Sequence, residues 1–168
     1  EFNDINGGSF SITVAKKKSK FKEYSKIVNW LLEREKILNY NSPSTHLNFY
    51  KNVKKHKKLL RDLINNLKDM KKKIIGYGAS TKGNVLLQYF GINRKHIKYI
   101  ADRNPKKDNH FTPGTKIKII TESKSRRLKP NFYLVLPWHF KKEILNRERN
   151  LIKKGSKFIF PLPSFRVY

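Results

Sequence analysis

The spacing of apolar residues along this chain changes twice. In Gly7 to Lys20, "GGSFSITVAKKKSK", Phe10, Ile12 and Val14 alternate with Ser11, Thr13 and Ala15, the period of two expected of a strand with one buried face. A helical pattern follows. The strand is therefore expected to have no local hairpin partner and to belong to a sheet whose other strands lie upstream of Glu1. From Phe21 to Lys72 the period lengthens. Tyr24, Ile27, Val28, Leu31, Leu32 and Leu38, and then Phe49, Val53, His56, Leu60, Leu63 and Leu67, fall at the spacing of a helical stripe. Between the two sets, Asn41, Ser42, Pro43 and Ser44 of "NYNSPST" supply a turn and an N-cap. The pattern predicts two helices whose stripes pack into a core, with His56 a packed side chain on the second.

Beyond Lys72 short apolar runs alternate with helical ones. "KIIGY", "IKYIA", "KIKII", "FYLVL" and "KFIFP" read as strands, and "TKGNVLLQYF", "TESKSRRL" and "FKKEILNRERNLIKK" as the helices among them. Alternation of this kind predicts right-handed crossovers and a parallel sheet covered on both faces, and the near-continuous apolar run Phe132 to Leu136 suits a doubly buried strand. The expected fold class is α/β: a Rossmann-like parallel sheet of about five strands with flanking helices, preceded by two linker helices and one orphan strand. The expected divisions are residues 1–20, a helical linker 21–72 and a Rossmann-like domain 73–168.

Composition narrows the field. At 168 residues with 38% hydrophobic content, the chain can bury a core. No apolar run approaches the roughly 20 residues of a membrane span, and nothing near the start resembles a signal peptide, so no membrane partner and a cytoplasmic location are expected. With no cysteine, and with His46, His56, His96, His110 and His139 lacking the close spacing of a ligand motif, no metal is expected. The chain begins with Glu1 and its one methionine is Met70; it reads as the C-terminal part of something longer. The formal net charge of +27 raises nucleic acid as a partner. The lysines, however, are spread over Lys16 to Lys20, Lys51 to Lys58, Lys68 to Lys73 and Lys153 to Lys157, alongside abundant Asn, Ile, Phe and Tyr. These are residues of A/T-rich codons, so compositional bias is the favoured cause of the charge and nucleic acid is disfavoured as a partner.

Ligands of open parallel sheets bind beyond the carboxyl ends of the strands. After the first strand stand Gly76, Gly78 and Ala79, then Ser80 or Thr81 as a helix cap, Lys82 in the first turn and Gly83. Glycines allow close backbone approach, a helix N-terminus presents N–H groups and partial positive charge, and Lys82 adds a full charge; together these suit a phosphate or diphosphate. The order is neither a GxxxxGK[ST] loop nor a complete GxGxxG fingerprint, because Thr81 holds the third glycine position. A glycine turn that only packs helix against strand remains the alternative. Asp102 ends the second strand about where a dinucleotide fold places its ribose-binding acid, or else caps the turn before Arg103 and Pro105. The long loop "DRNPKKDNHFTPGTK" carries Lys106, Lys107, His110 and Thr112. Trp138 and His139 follow the fourth strand, where they could stack on a base or sugar and bond a phosphate or hydroxyl, or else pack and cap. No carboxylate pair, Ser/His/Asp set or general base stands out, so no catalytic residue is assigned.

In this order "GYGASTKGNVLLQYFGI", "YIADRNPKK", "FTPGTKI", "KPNFYLVLPWHFKKEI" and "GSKFIFPLP" resemble the C-terminal domain of the sugar C-methyltransferases, over about Lys71 to Pro163. That family acts with S-adenosylmethionine on nucleotide-linked deoxysugars. The resemblance implies a methyltransferase when the protein is whole, with a zinc-binding domain and a central catalytic domain upstream. "GGSFSITVA" is similar to the last strand of that central domain, which would assign residues 1–20 to it. S-adenosylmethionine would be bound upstream and no cofactor by this chain, which would bind a nucleotide-diphosphate sugar and be inactive alone. "IIGYGAS" is not the methyl-donor motif, which follows an acidic residue, whereas Lys73, Ile74 and Ile75 stand here. What carries over is Gly76, Gly78, Ala79, Lys82 and Gly83 as the glycine-lysine turn, Asp102, and Pro137, Trp138 and His139. The family often has Gly where this chain reads "KKDNH" and often Asn where His139 stands. The rival readings are a free-standing nucleotide- or dinucleotide-binding module and a basic nucleic-acid-binding protein.

Overall fold

A computed structural model describes every residue, Glu1 to Tyr168, as two units, Glu1–Lys55 and His56–Tyr168. In the first, β1 (Phe2–Asn3) and β2 (Ser9–Phe10) pair antiparallel, Phe2 opposite Phe10 and Asn3 opposite Ser9. This corrects the expectation of a strand from Phe10 to Val14 without a local partner. Asn6, Gly7 and Gly8 all take positive φ and turn the chain back on itself, so the glycines close a hairpin; Ile12 and Val14 lie beyond it, exposed. Helix α1 (Ser25–Ile37) follows, then α2 (Pro43–Asp69), whose first residue is a proline, a position where no N–H is needed. The two expected helices are present. The expected burial of the first is not: α1 has no buried residue. In α2, which runs on into the second unit, burial begins at Leu60 and continues at Ile64 and Leu67, while Phe49 is exposed.

The second unit is built on β3 (Ile74–Tyr77), α3 (Thr81–Phe90), β4 (Tyr99–Asp102), β5 (Lys118–Thr121), α4 (Glu122–Arg127), β6 (Phe132–Val135), α5 (Lys141–Arg147), α6 (Arg149–Lys153), β7 (Lys157–Phe160) and β8 (Arg166–Val167). The sheet order is β5-β4-β3-β6-β7-β8. β3 to β7 are parallel, and β8 closes one edge antiparallel to β7. All five expected strands are present, and the fold is a Rossmann-like α/β sheet. β8, two residues long, is too short to show a period. The chain order reverses at β3, with β4 on one side and β6 on the other, which makes the β3/β6 boundary the topological switch point.

One face of the sheet gathers Ile75, Tyr77, Ala101, Tyr133, Val135, Phe158 and Phe160 with Ile144 of α5. The rings of Tyr133 and Phe158 stack at 5.0 Å and Tyr77 meets both edge-on, arrangements that add to their burial. Residues alternate faces along a strand, so Ile74 and Gly76 belong to the other side; all four residues of β3 are buried. The helical run after Lys141 is broken, not continuous as expected. Glu148 sits between α5 and α6 with its side chain inside, accepting from the Tyr77 hydroxyl at 2.7 Å, from Arg147 Nε at 3.1 Å and from Arg126 at 3.2 Å. A buried carboxylate is tolerated only when partnered in this way. Burial and then Glu148 push the Tyr77 phenol far above its ordinary value. No helix is long and apolar enough to cross a membrane.

Candidate functional site

The switch point brings together two chain segments that are far apart in sequence. From β3 the chain passes through Gly78, at φ 80°, into α3. A Cβ on Gly78 would lie 2.7 Å from the Pro137 ring, so the turn after β3 and the turn after β6 are in contact and glycine is required there on two counts. Ser80 is the N-cap of α3, its Oγ accepting from Gly83 N–H at 3.1 Å. A Cβ on Gly83 would lie 2.4 Å from Cβ of Leu136, and one on Gly76 2.6 Å from Cγ1 of Ile100. These two glycines thus have a packing reason of their own: they let α3 and β4 close on their neighbours.

Asp102 turns into the glycine turn. Its Oδ2 accepts from Ala79 N–H at 2.7 Å and from Lys107 Nζ at 3.3 Å, and its Oδ1 from Asn104 N–H at 2.8 Å. Lys107 also donates to Ala79 O at 2.9 Å. The carboxylate and the ammonium together hold the turn between β3 and α3 against the loop after β4. Lys107 was visible in sequence only as one lysine in a basic loop; nothing in its spacing marks it as a partner of Ala79. The loop itself is ordered by Asn104, which caps the turn Pro105–Lys107, and by Thr112, whose Oγ1 accepts from Ile117 N–H at 2.9 Å.

Across the switch point, Pro137 leads into a helical turn at Trp138–Phe140. Trp138 packs partly buried against the Tyr77 and Tyr133 cluster. The ring of His139 lies 4.3 Å from that of Phe140, and its Nδ1 is buried without a hydrogen-bond partner. Burial, followed by the charge of Lys82, holds the His139 pKa below the ordinary histidine value. Asn84, one turn along α3, likewise has its Oδ1 buried without a partner, a feature with no local sequence signal. The site therefore contains a helix N-terminus, an ammonium, a neutral imidazole and an amide, with Lys107 beside them. The helix N–H groups and the Lys82 ammonium are donors suited to an anion, whereas the Asn84 oxygen is an acceptor, and no free carboxylate stands among these groups to act as a base.

Fold and site together describe a Rossmann-like domain with a basic glycine turn at its switch point. Comparison with known proteins gives this class a family: residues 4–163 match the C-methyltransferase C-terminal domain. The chain belongs to that family. It is also similar to the C-methyltransferase NovU of Streptomyces niveus, 27% identical over 164 residues, which is 98% of this chain and 39% of the relative. The chain thus spans about two fifths of the length of that relative.

Proposed function

We propose that this chain is the part of an S-adenosylmethionine-dependent C-methyltransferase that binds a nucleotide-linked deoxysugar, with methyl donor and base carried by an upstream domain that residues 1–20 join. The observation that supports it most is the meeting of the turn after β3 with the turn after β6, Gly78 against Pro137 and Gly83 against Leu136, with the charge of Lys82 acting on His139 beside it. A diphosphate there gains the helix N-terminus and an ammonium at once. The neutral ring of His139 is half-buried at the same turn; its Nδ1 is buried, so Nε2 is the nitrogen that could bond a phosphate or sugar hydroxyl. Asp102 and Lys107 keep the turn in place for that contact.

S-adenosylmethionine, when bound upstream, supplies an electrophilic methyl group. The residues here do not fit it: they are basic, the donor carries a sulfonium cation, and the nearby carboxylate of Asp102 is already committed to Ala79, Asn104 and Lys107. Nothing in this chain serves as the base that makes a sugar carbon nucleophilic, so residues 1–168 alone transfer no methyl group. Their part is to hold and orient the sugar, a contribution worth several kcal/mol of barrier in well-positioned reactions.

Calorimetric titration tests this. A deoxysugar nucleoside diphosphate, NADH and S-adenosylmethionine are each added at two salt concentrations. Saturable binding of the sugar nucleotide is expected, weakened about tenfold or more by Lys82→Ala, the size of a lost charge-assisted hydrogen bond. Tight NADH binding with no sugar-nucleotide binding would favour a free-standing dinucleotide module instead.

A further inference from the structure

Most parts of a dinucleotide site are present at the switch point. Gly78 makes the tight turn after β3, Gly76 lets β4 come close, and Gly83, two residues beyond the usual third glycine, lets α3 close on Leu136. β4 pairs with β3 and ends in an acid, Asp102. In dinucleotide folds a carboxylate at this place accepts the hydroxyls of a ribose. Here its oxygens are already engaged. Oδ2 accepts from Ala79 N–H at 2.7 Å and from Lys107 Nζ at 3.3 Å, and Oδ1 from Asn104 N–H at 2.8 Å. The Asp102 side chain is only 10% exposed, against 42% for that of Lys107, so the lysine stands on the solvent side of the pair. The turn Pro105–Lys107, capped by Asn104, brings the ammonium back to a carboxylate five residues earlier.

We infer that Lys107 is a specificity-determining residue: it closes the ribose position at Asp102 and so excludes dinucleotides from the glycine turn, an inference that rests on the switch point being a nucleotide site, as proposed above. An ion pair with one exposed partner is weak by itself. Lys107 has a second hold, because the same ammonium donates to Ala79 O at 2.9 Å. It therefore bridges the glycine turn and the acid, the gap that the ribose of a dinucleotide would enter. A ribose taking that place would break the ion pair and also leave the Ala79 carbonyl without its donor, and each loss counts against binding. A sugar nucleotide held at the same turn must then place its nucleoside away from Asp102.

The test is titration of the whole chain and of Lys107→Met with NADH, followed by calorimetry and by backbone amide shifts. Methionine keeps the unbranched apolar stem and removes the ammonium. NADH is expected to bind Lys107→Met at least about tenfold more tightly than the wild type, the size of one charge-assisted hydrogen bond, with shifts at Ala79, Asp102 and Asn104. Equal NADH affinity of the two proteins, including no binding by either, would overturn the inference. So would saturable binding of NADPH by the wild type with shifts at Lys107, because the lysine would then be a ligand for the 2′-phosphate. Thermal unfolding shows whether Lys107→Met is folded; if it is not, the wild type decides, since NADH-induced shifts at Asp102 and Lys107 in that protein would overturn the inference. Titration of both proteins with a deoxysugar nucleoside diphosphate separates the two ideas. NADH binding gained in Lys107→Met without sugar-nucleotide binding by the wild type removes the proposed function and leaves the role of the lysine, and sugar-nucleotide binding with equal NADH affinities does the reverse.

Discussion

Helix α2 buries Leu60 and Ile64 completely, whereas α1, with a stripe of the same period, leaves Leu32 half exposed. The difference is not in the pattern. Both sets of apolar residues recur at helical spacing, and both form helices where expected. What differs is the surroundings: Leu60, Ile64 and Leu67 belong to the unit that contains the six-stranded sheet, and α1 belongs to a unit whose one sheet is a two-stranded hairpin. An apolar stripe shows that a helix has something to bury. It does not say where the covering surface comes from.

The sharpest way to break this comparison is a pair of substitutions. Leu60→Ala is expected to cost about 2–5 kcal/mol, because it opens a cavity in a packed core, while Leu32→Ala is expected to change stability by no more than about 0.5 kcal/mol. Denaturant unfolding of both variants checks this, and similar losses for the two would mean that α1 is covered within the chain.

A smaller effect is expected from Gly83→Ala. The added methyl meets the Leu136 Cβ, and overpacking of this sort costs about 1–3 kcal/mol. Thermal unfolding measures the cost. An unchanged midpoint would mean that α3 can move away from β6, and the glycine would then need a ligand to explain it.

The smallest effect concerns pH. In the unfolded chain His139 takes up its proton near about pH 6.5; in the folded chain burial and Lys82 delay that uptake to lower pH. The unfolded state therefore binds more protons as pH falls from about 6.5 through the folded value, and stability declines over that window. His96, also held below its ordinary value by burial and then by Arg61 and Lys68, adds in the same direction. His139→Asn should flatten part of this acid limb in a stability-against-pH series. An unaltered limb would show that the imidazole is not held neutral by its surroundings.

Much of this was legible before the structure. The strands of the second unit declared themselves because each is a short apolar run bounded by turn residues, and the glycine turn with Lys82 could be placed because ligand sites follow strand ends. Other features were hidden because they depend on contacts between distant residues. The Asp102 bond to Ala79 joins residues 23 apart, and that of Glu148 to Tyr77 joins residues 71 apart; no local pattern encodes either. The hairpin at Phe2–Asn3 and Ser9–Phe10 has no such signature, because Gly7 and Gly8 adjoin an alternating run and show themselves as a turn, with Asn6, only in their positive φ. The buried Oδ1 of Asn84 lay inside a helix pattern where an asparagine gives no signal.

The most direct test of the account is a map of backbone amide shifts during titration with a deoxysugar nucleoside diphosphate. The shifts are expected to concentrate at Gly78 to Asn84 and Pro137 to His139, and to survive added salt. Shifts spread over the exposed lysines of both units and abolished by salt would contradict it, because the anion would then be answering the net charge of +27 and not the glycine turn.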